Sequence, residues 1–427
     1  MRAPGVGGGM SRHDPFLGPE DGRLYADLTQ SWSDVGGGVG TYLRHKRRHI
    51  LDRTRHRHLM IVPGSRDMVQ VEHGGRAITC FVASPKVPGS PHYRLLLRNR
   101  AVRSLLGEHR PDLIECQDAY NLPWAAIGHS RHYPRTALVA AYCTDFPTVY
   151  VRRPFSRWLG KATGEAASRL CYNYCGKLYR RFDSVFAMSE NGGATKLRAL
   201  GVPDVDVVPL GVELGQFSPD KRDLRLRRRL NLGDGQPLLI YAGRLDGEKR
   251  PDVVVDAFKR LPDSLGAALL LLGDGPYREQ FAGREQERIY APGYCDDRSD
   301  LAAWLASADL YVSGMADETF GISIIEAQAS GLPVVGVAAG AMIDRVPEGL
   351  GLVGKVGDGE IMAANILSVL GGDMRRMGEQ ARAHALQFSW DQSMERLFGH
   401  VYSKAALRAA ERAVAGAAVG SGAFART

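Results

Sequence analysis

Apolar residues in this chain come in short runs, separated by segments with polar or helical patterning. "RLYADLT", "HLMIVPGS", "ITCFVAS", "PDLIECQD", "ALVAAYCTD" and "SVFAMSE" have the length and apolar character of strands buried in a sheet. "TYLRHKRRHILDR", with Leu43 and Ile50 as its apolar positions, reads as a helix. The rhythm breaks at the Pro- and Gly-rich "VDVVPLGVELGQFSPDKRD" and then restarts. It continues with "PLLIYAGR", a helix from Asp252 to Leu261, "AALLLLGDGP", "RIYAPGY", a helix "DLAAWLASA", "LYVSG", a helix from Phe320 to Ser330, and "PVVGVAA". Gly331 and Pro333 supply the stop of that last helix. Strands alternating with helices imply right-handed crossovers and parallel sheets. The fold class is therefore α/β, with two doubly wound, Rossmann-like domains in tandem. The expected divisions are a flexible tail over 1–22, domains over 23–213 and 214–389, and an alanine-rich helical segment over 390–427 with a frayed end.

Composition narrows the class. A chain of 427 residues exceeds one ordinary core, which agrees with two domains. No apolar run approaches the roughly 18 residues that a membrane span needs. The N-terminal stretch lacks the apolar segment of a signal peptide, so a cytoplasmic protein, soluble or peripheral, is expected. The six cysteines form no C-x-x-C pair and indicate neither a zinc site nor a disulfide framework. Charge is uneven: residues 1–220 hold 30 Lys+Arg against 20 Asp+Glu, and the remainder 25 against 27. The basic first half includes "SPHYRLLLRNRAVRSLLGEHR", where Arg94, Arg98, Arg100 and Arg103 alternate with leucines. Read as an amphipathic helix, it either lies on an anionic membrane surface or has one core face and one solvated face. Nucleic acid is not expected as a partner, because no recognisable binding module accompanies the charge. A nicotinamide dehydrogenase is disfavoured by the missing G-x-G-x-x-G.

Ligands of open α/β sheets bind beyond the carboxyl ends of strands, so the loops there hold the candidate chemistry. "DVGGGVGTY" places Gly36, Gly37, Gly38 and Gly40 between a strand and a helix, either as a phosphate-binding start or as a plain tight turn. "YAGRLDGEKRPD" offers Arg244 and Lys249, either converging on one anion or as solvated charges. In "LLGDGPY", Gly273 and Gly275 permit close backbone approach. "DETFGISIIEAQASGLPVV" sets Glu318 at a helix mouth beside the amides of Phe320, Gly321 and Ile322, and Glu326 inside the helix on an apolar face. A carboxylate there must be neutralised, exposed or given partners, and a vicinal diol would supply two donors.

These blocks carry a resemblance. "E-TFGISII-E", preceded by "SADLYVS", resembles the Glu, seven residues, Glu motif of retaining GT-B glycosyltransferases of family 4 (glycosyl transferases group 1), which include lipid mannosyl- and glucosyltransferases. "YAGRLDGEKRPDVVVDAF", "GDGP", "ENGGATKLRALGVPDVDVVPLGVELGQFSP" and "GGGVGTYL" resemble other blocks of the same family, in its order. The resemblance implies two Rossmann-like domains facing a cleft, with the acceptor on the first, a nucleotide-sugar (UDP or GDP) on the second, and a final helix crossing back. Glu326 would bind the donor ribose. Glu318 would contact the donor sugar, with the amides of Phe320 and Gly321. Arg244 and Lys249 would hold the diphosphate and stabilise its charge as it leaves. Gly37 and Gly38 would approach from the opposite domain, and the base pocket would use backbone near Tyr294 and Cys295. Asp118, Cys143 and Asp145 fall on the acceptor side, and the acceptor expected is a glycolipid, a lipid-linked sugar or a saccharide. No metal or other cofactor is expected. Cys143, in "AYCTDFP", departs from the histidine usual in the family. Either catalysis leans on Asp145 and the leaving phosphate, or the protein binds nucleotide-sugar without transferring it.

Overall fold

The computed structural model describes residues 22–32, 37–87, 90–233 and 235–424. Gly36 and the tail expected over 1–22, apart from Gly22, lie outside them. The first half of the chain forms β1 (Leu24–Leu28), β2 (Arg57–Gly64), β3 (Met68–Glu72), β4 (Ala77–Ala83), the short ribbon β5 (Lys86–Val87) and β6 (Ser90–Arg94), β7 (Leu113–Cys116), β8 (Ala137–Tyr142), β9 (Ser184–Ala187) and β10 (Val205–Val207). The second half forms β11 (Leu238–Ala242), β12 (Ala268–Leu272), β13 (Ile289–Gly293), β14 (Leu310–Val312), β15 (Val334–Val337) and β16 (Gly351–Gly354).

The first sheet runs β10-β9-β8-β7-β1-β2-β4-β3 and the second β13-β12-β11-β14-β15-β16. Every pairing in both is parallel except that of β3, which lies antiparallel to β4 at an edge. Parallel sheets are covered on both faces, which is why the strand segments are apolar throughout: Tyr25 of β1 packs into one core, and Leu24, Ala26 and Leu28 into another. Between these sits Asp27, fully buried on the same strand.

Two crossings join the halves side by side. Val212 bridges Ser389, and the Val212 amide donates to the Phe388 carbonyl at 2.8 Å. Beyond them the chain runs through Trp390–Arg396 and Leu397–Tyr402 into the helix Ser403–Phe424 and returns to the first sheet. There Tyr402 donates to Glu115 of β7 at 2.6 Å, Arg408 to the Asp183 carbonyl at 2.8 Å and Arg412 to the Thr136 carbonyl at 2.9 Å.

Three sequence expectations are corrected. The basic segment from Ser90 is not one amphipathic helix: Ser90–Arg94 is a strand, and the helix is Asn99–His109. Arg94 and Arg98 precede it, Arg94 bonding the Ser84 carbonyl and Arg98 pairing with Asp67, while only Arg100 and Arg103 lie on it. Pro91 and the hydrogen bond of the Leu95 amide to the Pro85 carbonyl favour extended chain there. The Pro- and Gly-rich break begins with an edge strand, since Val205–Val207 pairs with β9. The helix expected from Phe320 starts at Ile322, because Gly321 takes φ 85° ahead of it.

Candidate active site

Each sheet reverses its strand order once, between β1 and β7 in the first and between β11 and β14 in the second. A crevice opens at such a reversal, outside the carboxyl ends of the strands. The loops after β11 and β14 carry Arg244, Lys249 and Glu318. Those after β1 and β7 carry Gly37, Gly38 and Asp118. Cys143 and Asp145 follow β8, Gly273 follows β12, and Tyr294 and Cys295 follow β13. The candidate residues outside Arg94–Arg103 therefore follow strands at or near the two reversals, or lie in the helix after β14.

Lys249 and Glu318 meet between the two central loops, Nζ to Oε2 at 3.1 Å. The Gly321 amide donates to the other Glu318 oxygen at 3.1 Å. Burial alone would raise this carboxyl, but the Lys249 charge and the amides of Phe320 and Gly321 hold it below the usual glutamate value. Two of the amides expected to face the cleft are thus turned on Glu318 itself. Asp246 organises the Lys249 loop by accepting from the amides of Glu248 and Lys249, both at 3.0 Å. Arg244 pairs with Asp246 and, at 2.8 Å, with Glu248. Gly273 lets the β12 loop lie against this one, since a Cβ there would collide with the Gly243 carbonyl oxygen.

Glu326 is 3% exposed, and its partner is protein. Arg298 Nη2 lies 2.5 Å from Oε1, so a cation from the loop after β13 partners this buried carboxylate. Burial raises the Glu326 carboxyl and Arg298 opposes the rise only in part. Tyr294 stands exposed, and the Cys295 thiol donates to the Asp297 carbonyl at 3.4 Å in the same loop that delivers Arg298. Arg298 was missed from sequence, although a cation in the strand-end run "YCDDRSD" was the signal available.

The first domain closes on this motif. Thr319 Oγ1 donates to the Cys143 carbonyl at 2.9 Å, and Ser189 Oγ donates to the Thr319 carbonyl at 2.7 Å. A Cβ on Gly38 would stand 3.7 Å from Ile322 Cδ1, so the glycine loop does face the helix after β14. Buried Arg345 bonds the carbonyls of Phe320 and Met188 at 2.9 and 3.1 Å, one from each domain. Arg153 reaches Asp317 at 2.7 Å. Arg345, Arg153 and Lys196 carry no spacing signal, because each acts across 25 or more residues of chain.

Of the residues expected on the acceptor side, Asp118 is buried and accepts from the Gln30 amide and, at 3.0 Å, from Ser31; burial takes its carboxyl up to about 6 against those bonds. Asp145 is buried too, but the Lys196 ammonium and the hydroxyls of Tyr172 and Tyr142 outweigh burial and hold it below the usual aspartate value. Burial, with the charges of Glu115 and Asp118, pushes the Cys143 thiol well up. A thiol held neutral is not a base, and of the two carboxyls Asp145 is the one held below its usual value.

Beneath these loops lies a fully buried charged network that sequence patterning did not reveal. Lys46 Nζ sits 2.7 Å from Asp27 and 3.0 Å from Glu115, His58 bonds Asp27 at 2.6 Å, and Tyr42 bonds Glu115 at 2.9 Å. Gln117 donates to Asp27 and Glu115 at 2.5 and 2.9 Å.

Comparison with known proteins agrees with this geometry. Residues 36–216 match the model of "Glycosyltransferase Family 4" and residues 223–384 that of "Glycosyl transferases group 1". The chain is 26% identical over 344 residues to a GDP-mannose-dependent alpha-(1-6)-phosphatidylinositol dimannoside mannosyltransferase of Mycobacterium tuberculosis, covering 79% of this chain and 85% of that one. It is 30% identical over 299 residues to a GDP-mannose-dependent alpha-mannosyltransferase of Corynebacterium glutamicum, covering 69% and 68%. A sucrose-phosphate synthase of Thermosynechococcus elongatus superposes with a TM-score of 0.69 at 20% identity, over 89% of this chain and 98% of that one. Matched along both halves of its length and folded as two facing Rossmann-like domains, the chain belongs to family 4 of the GT-B glycosyltransferases.

Proposed function

We propose that the protein transfers a hexose, with retention of anomeric configuration, from a nucleotide-sugar to an acceptor hydroxyl borne by a glycolipid or lipid-linked sugar. The observation that carries this is the meeting of Lys249 and Glu318 at 3.1 Å across the strand reversal of the second sheet. Negative charge develops on the departing nucleoside diphosphate, and fixed cations there favour the transition state. Lys249 and Arg244 supply them, so the reaction invokes no metal. Glu318 receives the sugar, Glu326 the ribose, and Asp145 sits across the cleft toward the acceptor. GDP-mannose is the donor favoured by the names of the two relatives, and a UDP-sugar is the competitor. The proposed lipid acceptor is met at the bilayer surface, on the cytoplasmic side; among the described residues no helix is long and apolar enough to cross a membrane.

A thermal-shift panel of GDP, UDP and ADP, followed by the matching nucleotide-sugars with a lipid extract, tests the reading. Stabilisation by GDP and sugar transfer to lipid are expected. No stabilisation by any nucleoside diphosphate would sink it. The elevated Cys143 thiol favours a second reading, a nucleotide-sugar-binding protein without transfer. It is distinguished by donor binding with neither transfer nor donor hydrolysis.

A further inference from the structure

Residues 147–179 form a helical hairpin that projects from the first domain. A wide turn over Pro147–Arg152 runs into the helix Arg153–Leu159, Gly160 breaks it, and Lys161–Tyr179 returns. The limbs pack at Gly164, where a Cβ would collide with Ser156 Oγ, so both outer surfaces stay free. Those surfaces carry Trp158 at 83% exposure, Leu159 at 63% and Leu170 at 71%, with Tyr150 and Phe155 also exposed. Single exposed apolar residues need no explanation, but five of this size within 21 residues make a patch that awaits a partner.

Charge identifies the partner. Arg157, Lys161 and Arg169 interleave with the apolar residues, against one acid, Glu165, while Arg152 and Arg153 at the base pair with Asp317. A second copy of the chain would bring like charge against like. An anionic bilayer offers both complements at once, acyl chains for Trp158, Leu159 and Leu170 and headgroups for the cations.

The base of the hairpin belongs to the cleft. Asp145 accepts from Tyr172 of the returning limb, and Tyr120, close after Asp118, packs on Phe146 at 4.6 Å. Arg153 pairs with Asp317, the neighbour of Glu318, at 2.7 Å.

We propose that the hairpin face from Tyr150 to Leu170 docks on an anionic lipid bilayer and so sets the mouth of the cleft at the surface. This deepens the proposed function, resting on it for the acceptor that the surface would supply. The docking itself is measured without donor or acceptor.

The test uses the full chain and two vesicle preparations, phosphatidylcholine alone and phosphatidylcholine with phosphatidylglycerol. Co-sedimentation is expected to rise about tenfold or more with the anionic lipid and to fall as salt is added. Trp158→Ser combined with Leu159→Ser is expected to lower it about tenfold while leaving stabilisation by nucleoside diphosphate intact. Tryptophan emission should shift to the blue with anionic vesicles in the wild type and not in Trp158→Phe. Equal partitioning of variant and wild type overturns the proposal. Absence of vesicle binding in a wild type that binds nucleotide also overturns it, and leaves the donor assignment standing. Self-association abolished by the same double substitution, without vesicle binding, overturns it in favour of a dimer. Vesicle binding by a protein that glycosylates no lipid supports docking and removes the lipid acceptor.

Discussion

Arg298 holds Glu326 at 2.5 Å, joining the loop after β13 to the helix after β14 through a carboxylate that is otherwise buried. Burial raises this carboxyl, and the Arg298 charge offsets the rise only in part. For an acid whose folded pKa exceeds its unfolded value, ionisation works against the fold as pH rises through and above that range.

Glu326→Gln should therefore keep or raise the melting temperature at neutral pH and lower nucleotide affinity by about tenfold, one lost charge-assisted hydrogen bond. Calorimetric titration and thermal unfolding check both. A variant that unfolds, or that binds donor as the wild type does, contradicts the assignment.

Lys249→Ala removes the partner of Glu318 and, on the proposed reading, a cation at the leaving group. Turnover should fall by about 100-fold or more, the scale seen when one transition-state charge donor is deleted, and nucleotide affinity should fall with it. Steady-state kinetics with the matching nucleotide-sugar measure this, and unchanged turnover would remove Lys249 from the site.

Lys46 compensates two buried carboxylates, Asp27 and Glu115. Lys46→Met should destabilise the protein by about 3–5 kcal/mol, because it leaves buried charge unpaired. Burial alone would raise the Asp27 carboxyl, but Lys46 and His58 bring it down to about 2 from 3.8. Its folded pKa lies below its unfolded one, so this stabilisation is present above pH 3.8 and is lost as pH falls from there toward about 2. Urea unfolding across that range should show the loss in the wild type and a smaller one in the variant.

Cys143 touches the donor motif through its carbonyl, not its thiol. Cys143→Ser should hold transfer within about tenfold, since a neutral thiol supplies no base to lose. Loss of activity on that substitution, with donor binding intact, would give the sulfur a role that its surroundings deny. Thr319→Val removes the bond to this carbonyl and should cost about 1 kcal/mol, read by denaturant titration.

Local signals carried far in this chain. Apolar strand runs gave two sheets, parallel but for β3, and the candidate residues after strand ends lie at or near the strand reversals. What stayed hidden shares a different physics. Arg298 with Glu326, Arg345 between the domains and Lys46 with Glu115 are pairings of distant residues, and a periodicity of two or 3.6 is blind to them. The basic and apolar residues from Ser90 suit a helix by spacing alone, and pairing with Lys86–Val87 makes Ser90–Arg94 a strand. The apolar face at Trp158 escaped because a hydrophobic residue in a helix is ordinarily taken to face a core.

The return of the last helices has a consequence for the order of synthesis. Glu115 and Asp183 belong to the first half of the chain, yet Tyr402 bonds the Glu115 carboxylate, Arg412 that of Asp183, and Arg408 the Asp183 carbonyl. A nascent first domain leaves the ribosome without these late partners, and it reaches its final form only after residue 412 has emerged. The growing polypeptide therefore waits for some two hundred further residues with a half-finished sheet, so truncations that spare both sheets but stop short of Tyr402 should be the ones that depend on chaperones.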